Sequence, residues 1–275
     1  MSSKLGTFQR ILLRCEAGER AAWEVFLTRY TPIVYALIEF YLPMHAGEGR
    51  GAFWAQGLRA LGANGHERLK GFDHQAEREF LADLRAFLFA RAGQATDISP
   101  RWTSSGPQPT FDSLAAQLDA LPLAQKEVVF FKLAGYSDAT LEEMLLLPSS
   151  AIRRSVQRLD GDYGEMMRRQ KDGCPWPAAW LEVLTRARAA GQDDCPSRRV
   201  FVRLLDGQTT WYEKVPAEEH MAHCLHCLES WVALREVTYL RRVTRSLPPS
   251  EVKGLLASVP LVASRSSLIA RLFKT

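Results

Sequence analysis

Four residues near the carboxyl end of the chain have the types and spacing of a metal site. His220, Cys224 and Cys227 form the pattern H-x-x-x-C-x-x-C, and Cys195 lies upstream of it. Residues three and four apart lie on one face of a helix, so a single segment can supply three ligands. Three cysteines and one histidine are a known ligand set of tetrahedral Zn²⁺. The pattern therefore predicts a zinc site formed by Cys195, His220, Cys224 and Cys227.

The fourth ligand is the open point of this prediction. Cys195 is preferred, with Cys174 or His223 as alternatives. Otherwise His223 and His226 are expected at the surface, away from the ligand face. A helix with incidental cysteines is the simplest alternative to a metal site. The five cysteines are an odd number in a chain without an export signal, which disfavours a disulfide framework and favours metal or thiol chemistry.

A second group of side chains has the chemistry of a nucleic-acid contact. Around Ile152 and Val156, helical spacing places the polar residues on the opposite face, and that face contains no acid. These polar residues are Ser149, Ser150, Arg153, Arg154, Gln157 and Arg158. Guanidinium groups bind phosphates and guanine edges, and an amide can bind adenine. The segment predicts a helix that reads DNA, and the alternative is a solvated surface helix.

Two shorter helices are predicted before this one. Pro122 fits the first turn of a helix that Gly135 ends, and Ser137 is a suitable N-cap for a second helix that stops at Pro148. Ser149 or Ser150 would cap the third helix. Three helices in this order are typical of a helix-turn-helix DNA-binding domain.

The stretch 121–159 resembles the promoter-reading fourth domain of bacterial sigma factors, most closely that of the extracytoplasmic-function group. The resemblance implies that residues 149–158 enter the major groove of the minus-thirty-five promoter element. The family usually has Gly in the turn between the two helices, whereas this chain has Leu146. A left-handed conformation costs a non-glycine residue about 1–2 kcal/mol, so a turn of different shape is expected.

Residues 16–35 resemble the start of the second domain of the same sigma-factor group, which docks on RNA polymerase. They read E-A-G-E-x-x-A-W followed, after six residues, by Y-x-P-x-V-Y. The resemblance implies a polymerase contact at Gln56, or at Trp54 if the alignment shifts by one residue. The acidic residue of the family's docking motif is missing here.

The same resemblance extends to the helix that opens and reads the minus-ten DNA in the family. Asp83 stands at the position of the family's Trp. The remaining candidate phosphate contacts are Arg78, Arg85 and Arg91, and each could instead be a solvated charge.

A third resemblance covers the metal segment, which is similar to the zinc-binding anti-sigma domain. The shared features are a cysteine, a short helix ending at residues 204–207, and an acidic helix leading into H-x-x-x-C-x-x-C. The resemblance assigns Zn²⁺ as the cofactor of the same four ligands and makes Asp206 and Gly207 the turn between helices. Members of this family act in trans on a sigma factor. Fusion to sigma-like domains therefore implies control in cis, through an intramolecular contact between the zinc domain and the sigma domains.

The predicted fold class is all-α, with two small helical sigma-type domains joined by a flexible linker and followed by a helical zinc-binding domain. The linker is rich in Pro, Ser, Thr and Gly and has no apolar period. The predicted units are a domain-two-like bundle (1–93), the linker (94–112), a domain-four-like helix-turn-helix (113–170), a connecting helix (171–191) and the zinc domain with its tail (192–275). The tail is expected to dock on the zinc domain.

Composition limits the functional classes. With 275 residues and 47% hydrophobic residues, the chain can form about two globular domains. A net charge of +4 means that any polyanion binding depends on local patches. There is no apolar run of about 18 residues and no signal-peptide core at the N-terminus, so a cytoplasmic protein without a membrane segment is expected.

The leading hypothesis is a sigma factor that directs RNA polymerase core to promoter DNA and is regulated by its own zinc domain. The alternative is a sigma-like DNA-binding regulator or anti-sigma-type protein that does not itself initiate transcription. The missing acid and Asp83 favour this alternative. A zinc hydrolase or deaminase is disfavoured because four protein ligands leave no position for water, and no enzymatic activity is expected.

Overall fold

All regular structure in the described part of the chain is helical, as the sequence predicts. The computed structural model describes residues 7–42, 45–72, 76–94, 110–119, 121–159 and 177–261. The helices are α1 (Thr7–Glu16), α2 (Arg20–Tyr41), α3 (Gly49–Lys70), α4 (Glu77–Gln94), α5 (Phe111–Asp119), α6 (Leu123–Ala134), α7 (Asp138–Leu145), α8 (Ser149–Gln157), α9 (Pro177–Ala189), α10 (Arg198–Leu205), α11 (Trp211–His223), α12 (Leu225–Val243) and α13 (Pro249–Leu256). Most of the predicted linker, Cys174 and residues 160–176 lie outside the described residues.

The first four helices form an aromatic-rich bundle. Along α2, Trp23, Phe26 and Tyr30 stack edge to face with ring centroids 5.1 and 5.0 Å apart. Tyr30 continues this contact to Phe80 of α4 at 5.2 Å. Burial of one such side chain contributes about 1.5–3 kcal/mol, so this row of rings holds α4 against α2. The opposite side of α4 faces the carboxyl-terminal helices.

Helices α6, α7 and α8 lie where the sequence predicts the three helices of the helix-turn-helix, with two details corrected. Gly135 ends α6 in a left-handed conformation (φ 100°), and the Ser137 hydroxyl accepts the Thr140 backbone N–H at 3.1 Å, as an N-cap should. Neither serine caps α8, because Pro148 precedes its first residue, Ser149. The expected departure from a left-handed turn is also wrong.

Leu146 itself adopts the left-handed conformation in the turn between α7 and α8. Its φ is 55° and its ψ is 39°. The side chain is 83% exposed, so it meets no steric obstacle from the core. The backbone thus takes the geometry that Gly would take more cheaply, and the cost remains with Leu146.

Helix α12 is the central helix of the molecule. It packs against α2 and α4 of the amino-terminal bundle, against α6 and α7, and against α9, α10 and α11. Its buried residues follow one another around the whole circumference from Cys227 to Leu240. A helix that is buried all round lies inside a protein rather than at its surface. The carboxyl-terminal unit therefore lies between the amino-terminal bundle and the helix-turn-helix.

The described part of the tail, which ends at Leu261, docks on the amino-terminal bundle, in contrast to the expected docking on the zinc domain. Helix α13 packs on α2 and buries Val252, Leu255 and Leu256. Beyond it, Pro260 rests on Gly62, where an added Cβ would lie 2.5 Å from the proline Cδ. The small glycine makes this close approach possible. No described helix has both the length and the apolar character required to cross a membrane.

Candidate metal centre and nucleic-acid interface

The four predicted metal ligands come together at the start of α12. Cys195, His220, Cys224 and Cys227 each place a ligand atom within 4.8 Å of the others. The Sγ atoms of Cys195 and Cys224 are 3.9 Å apart. Sequence analysis thus identified the cluster correctly, and this cluster could hold a metal ion.

The three downstream ligands do not share one helix face, which corrects the expected local geometry. Cys224 has an extended backbone (φ −118°, ψ 109°) and separates α11 from α12. His220 lies in the last turn of α11, and Cys227 lies in the first turn of α12. The site therefore joins a helix–helix junction to the loop that carries Cys195.

The donor atoms of this cluster fit a soft cation. His220 Nε2 is buried and has no hydrogen-bond partner among the described residues. A buried polar atom without a partner is costly unless something binds it. Burial, together with the neighbouring Cys195 and Cys224 thiols, raises the pKa of Cys227. Three clustered sulfurs and one unpaired imidazole nitrogen are the ligands that borderline metals prefer.

The described residues favour Cys195 over His223 as the fourth ligand. The Gln192 backbone N–H donates to Cys195 Sγ at 3.3 Å, which orients that thiol toward the cluster. His223 instead lies at the surface, 3.6 Å from Asp119. His226 is half-buried rather than at the surface, as its Nδ1 bonds to the carbonyl of Arg188 at 2.9 Å. Since a carbonyl only accepts, Nδ1 carries the proton there.

The start of α11, which positions His220, is held by a capping box. The Thr210 backbone N–H donates to Glu213 at 2.9 Å, and the Thr210 side chain accepts the backbone N–H of Glu213 in return. Arg203 of α10 adds an ion pair to the same carboxylate. The Thr210 backbone and Arg203 together lower the pKa of Glu213 to about 2. These contacts link α10 to α11 and help to fix the loop–helix geometry of the cluster.

The polar face of α8 points outward. Ser150, Arg153, Arg154, Gln157 and Arg158 are exposed, and Ser149 is half-buried. On the opposite side Ile152 and Val156 enter the core. None of the three arginines pairs with an acid in the part of the chain that the structure describes. The face is thus basic, exposed and free of carboxylates, which are the properties that phosphate binding requires.

The candidate polymerase and minus-ten residues lie in different surroundings. Trp54 is fully buried and its indole N–H donates to Thr31 Oγ1 at 3.0 Å, whereas Gln56 is exposed. Arg78 pairs with Asp206 at 2.6 Å. Arg91 is half-buried above the Phe87 ring. In this conformation Trp54 is therefore a core residue of the amino-terminal bundle.

Arg85 cannot contact phosphate in this structure, which contradicts its expected role. Its side chain is 0% exposed and pairs with Glu229 and Glu236 of α12, each at 2.5 Å. Burial opposes its charge, but Glu236, Tyr41 and Glu229 more than compensate and raise the pKa of Arg85. Asp83, two residues earlier, pairs with Arg188 at 2.7 Å and Arg198 at 2.5 Å. Helix α4 is thus tied to the carboxyl-terminal unit through charged groups.

One carboxylate in this network joins three parts of the chain. Glu236 of α12 accepts the Tyr41 hydroxyl of the amino-terminal bundle at 2.6 Å and the Tyr136 hydroxyl that follows α6. Burial, followed by the nearby Glu236 charge, raises the pKa of both tyrosines. Sequence reasoning missed Glu229 and Glu236, although an available signal was their separation of two helical turns within an apolar helix.

Comparisons with protein-family models, with curated proteins and with solved structures give no match for this chain. A functional assignment must therefore come from its residues and contacts. Two features of the described residues bear on function: a cluster that could hold a metal, and an exposed basic helix that packs on α6 and α7.

Proposed function

We propose that the chain is a sigma-type transcription factor that is controlled in cis by its own metal-binding unit. In this proposal α8 binds the major groove of promoter DNA, and the amino-terminal bundle binds RNA polymerase core. The observation that carries the proposal is the acid-free, exposed face of α8, held in place by α6 and α7. Basic and amide side chains at the start of a helix-turn-helix recognition helix are suited to base and phosphate contacts.

Control in cis is supported by the position of α12. This helix covers the face of α4 on which Arg85 lies and also touches the helix-turn-helix. The α4 face cannot bind nucleic acid or another protein while α12 occupies it. Release of α12 would expose Arg85, and the buried Glu229 and Glu236 would lose their ion pairs with it.

Zn²⁺ is the metal that we propose for the cluster. Cys195, His220, Cys224 and Cys227 would hold it, and four protein ligands are typical of structural zinc sites. Bound there, the ion supplies a fixed link between the Cys195 loop and the start of α12. Because thiolate ligands are oxidisable and metal binding is coupled to folding, this link offers a point of redox or metal control.

A second candidate function is a DNA-binding regulator that does not start transcription. The burial of Trp54 and the engagement of Asp83 and Arg85 by the carboxyl-terminal unit favour it. In this alternative the contacts of α4 are permanent, and only α8 acts on a target.

Transcription with purified RNA polymerase core on a library of promoter fragments separates the two candidates. We expect transcripts that depend on the intact chain and share one upstream sequence element, and that disappear with Arg153→Ala/Arg154→Ala. If the chain selects duplexes from the library but yields no transcript under reducing, oxidising or chelating conditions, the non-initiating regulator is the correct function. If it neither selects duplexes nor yields transcripts, both candidates fail.

A further inference from the structure

We propose that the chain binds duplex DNA in the closed arrangement itself, with the carboxyl end of α12 adding phosphate contacts to those of α8. "Closed" here means the arrangement in which α12 lies between the amino-terminal bundle and the helix-turn-helix. The inference rests on the proposed role of α8. It assigns a DNA-contacting role to the metal-binding unit, which would otherwise be expected only to inhibit.

The first supporting observation is the side from which α12 approaches the helix-turn-helix. Its contacts are with α6 and α7, and these two are also the main neighbours of α8. The carboxyl-terminal unit thus leaves the outward face of α8 exposed, including Arg153, Arg154 and Gln157. In the closed arrangement α12 covers α4 but leaves the outward face of α8 exposed.

The second observation is a direct contact between the end of α12 and the last turn of α7. The Tyr239 hydroxyl donates to Glu143 Oε2 at 3.0 Å, and Arg242 Nη2 donates to the Glu143 carbonyl at 3.3 Å. After α7 the chain makes the Leu146 turn and starts α8 at Ser149. Arg242 is therefore held beside the turn that leads into α8.

The third observation is the charge available at this end of α12 and just beyond it, since Arg245 follows the last helical residue by two positions. Arg242 and Arg245 are exposed, and neither pairs with an acid among the described residues. Arg241, in contrast, is committed to Glu77 at 2.8 Å. Exposed arginines next to a reader helix can neutralise phosphates flanking the groove, and each such contact releases counterions.

Under simple inhibition, DNA binding and exposure of the α4 face would occur together. These observations separate the two events. Duplex DNA can be held by α8 and the end of α12 while Arg85 remains sealed against Glu229 and Glu236. The closed chain would then stay bound to DNA, and exposure of the α4 face would follow in a later step.

The test measures the affinity of the intact chain for a short mixed-sequence duplex by fluorescence anisotropy over a series of salt concentrations. The key variant is Arg242→Ala/Arg245→Ala. Removal of each arginine–phosphate pair should reduce the slope of log K against log salt by about 1, and the affinity at low salt should fall by about tenfold. The matched control is Arg199→Ala, since Arg199 is an exposed arginine of the same unit without an acid partner among the described residues. Its affinity should stay within about twofold of the parent chain.

The arrangement of the bound chain is measured by hydrogen exchange with and without the duplex. We expect α4 and α12 to keep their protection when DNA binds. Exposure of α4 on DNA binding would overturn the proposal, as would unchanged affinity and salt slope in Arg242→Ala/Arg245→Ala. If Arg153→Ala/Arg154→Ala fails to bind the duplex in either of these cases, the proposed role of α8 stands and only this inference fails. If neither the parent chain nor any variant binds the duplex, the proposed function of α8 fails together with this inference.

Discussion

Helices α8 and α4 both carry arginines that the sequence offered as DNA contacts, and the fold treats them in opposite ways. On α8, Arg153 and Arg154 face solvent. On α4, Arg85 is enclosed by Glu229 and Glu236, which follow it by 144 and 151 residues. The comparison shows that helical periodicity identifies the polar face of a helix, but distant residues decide whether that face meets solvent or another part of the chain.

The largest expected effect is that of replacing Arg85, the buried arginine of α4. Arg85→Ala leaves the buried Glu236 without its counter-charge and leaves Glu229 with Arg188 alone, 3.5 Å away, which should lower the free energy of unfolding by about 3–5 kcal/mol. Urea denaturation of the intact chain measures it. Arg153→Ala is the matched control, and its change should stay within about 0.5 kcal/mol. Equal effects of the two substitutions would remove the distinction between the helices.

On the exposed side, the effect should fall on binding rather than stability. Arg153→Ala or Arg154→Ala should weaken binding to a selected promoter duplex by about 1–3 kcal/mol for each base that the removed side chain reads. Affinity measured at one fixed salt concentration tests this, with Lys253→Ala as a control at an exposed residue of α13. Unchanged binding in both arginine variants would show that α8 is only a solvated helix.

Metal removal should affect the two helices unequally. The cluster anchors the start of α12, so Cys224→Ser should lose the bound metal, one ion per chain in the parent, and loosen the cover over α4. Amide protection in α4 should fall by about tenfold, while protection in α8 should change little. Metal analysis and hydrogen exchange give both readouts.

Cys15→Ala is the control for that experiment. Cys15 is buried in the amino-terminal bundle and takes no part in the cluster, so this variant should retain its metal. A Cys224→Ser variant with full metal content, or with an equal fall in protection in both helices, would contradict the prediction.

The smallest expected effect concerns the turn that sets the entry of α8. Leu146→Gly should raise the free energy of unfolding by about 0.5–1 kcal/mol, because glycine tolerates the left-handed conformation while adding freedom to the unfolded chain. Thermal unfolding measures the change. Leu147→Gly is the control and should be destabilising, since Leu147 packs partly against the core and has no positive φ. A decrease in stability in Leu146→Gly would mean that the leucine side chain makes a contact of its own.

Local features were predictable because they depend on residues close in sequence. The ending of α6 at Gly135, the Ser137 cap and the all-helical class follow from glycine conformation, hydroxyl capping and apolar period. The metal cluster was predictable because three of its members lie within eight residues.

Features that require long-range pairing were not predictable in this way. The burial of Arg85 needs partners on α12, and the close approach of Pro260, beyond α13, to α3 needs a glycine at position 62. Helical spacing puts Glu229 and Glu236 on one face of α12, but nothing local in the sequence pairs that face with Arg85 or pairs Gly62 with Pro260. The extended Cys224 that divides α11 from α12 was missed for another reason, because the ligand spacing is equally compatible with an unbroken helix.

The distance in sequence between Arg85 and its partners also has a consequence for synthesis. The amino-terminal bundle leaves the ribosome before α12 has been translated, because Glu229 follows Arg85 by 144 residues. At about 5–20 residues per second, this interval lasts about 7–30 s. During that time the α4 face has no cover from its own chain, so a nascent bundle can meet other molecules before the mature protein encloses it. The order of translation thus provides a brief open state that needs no signal.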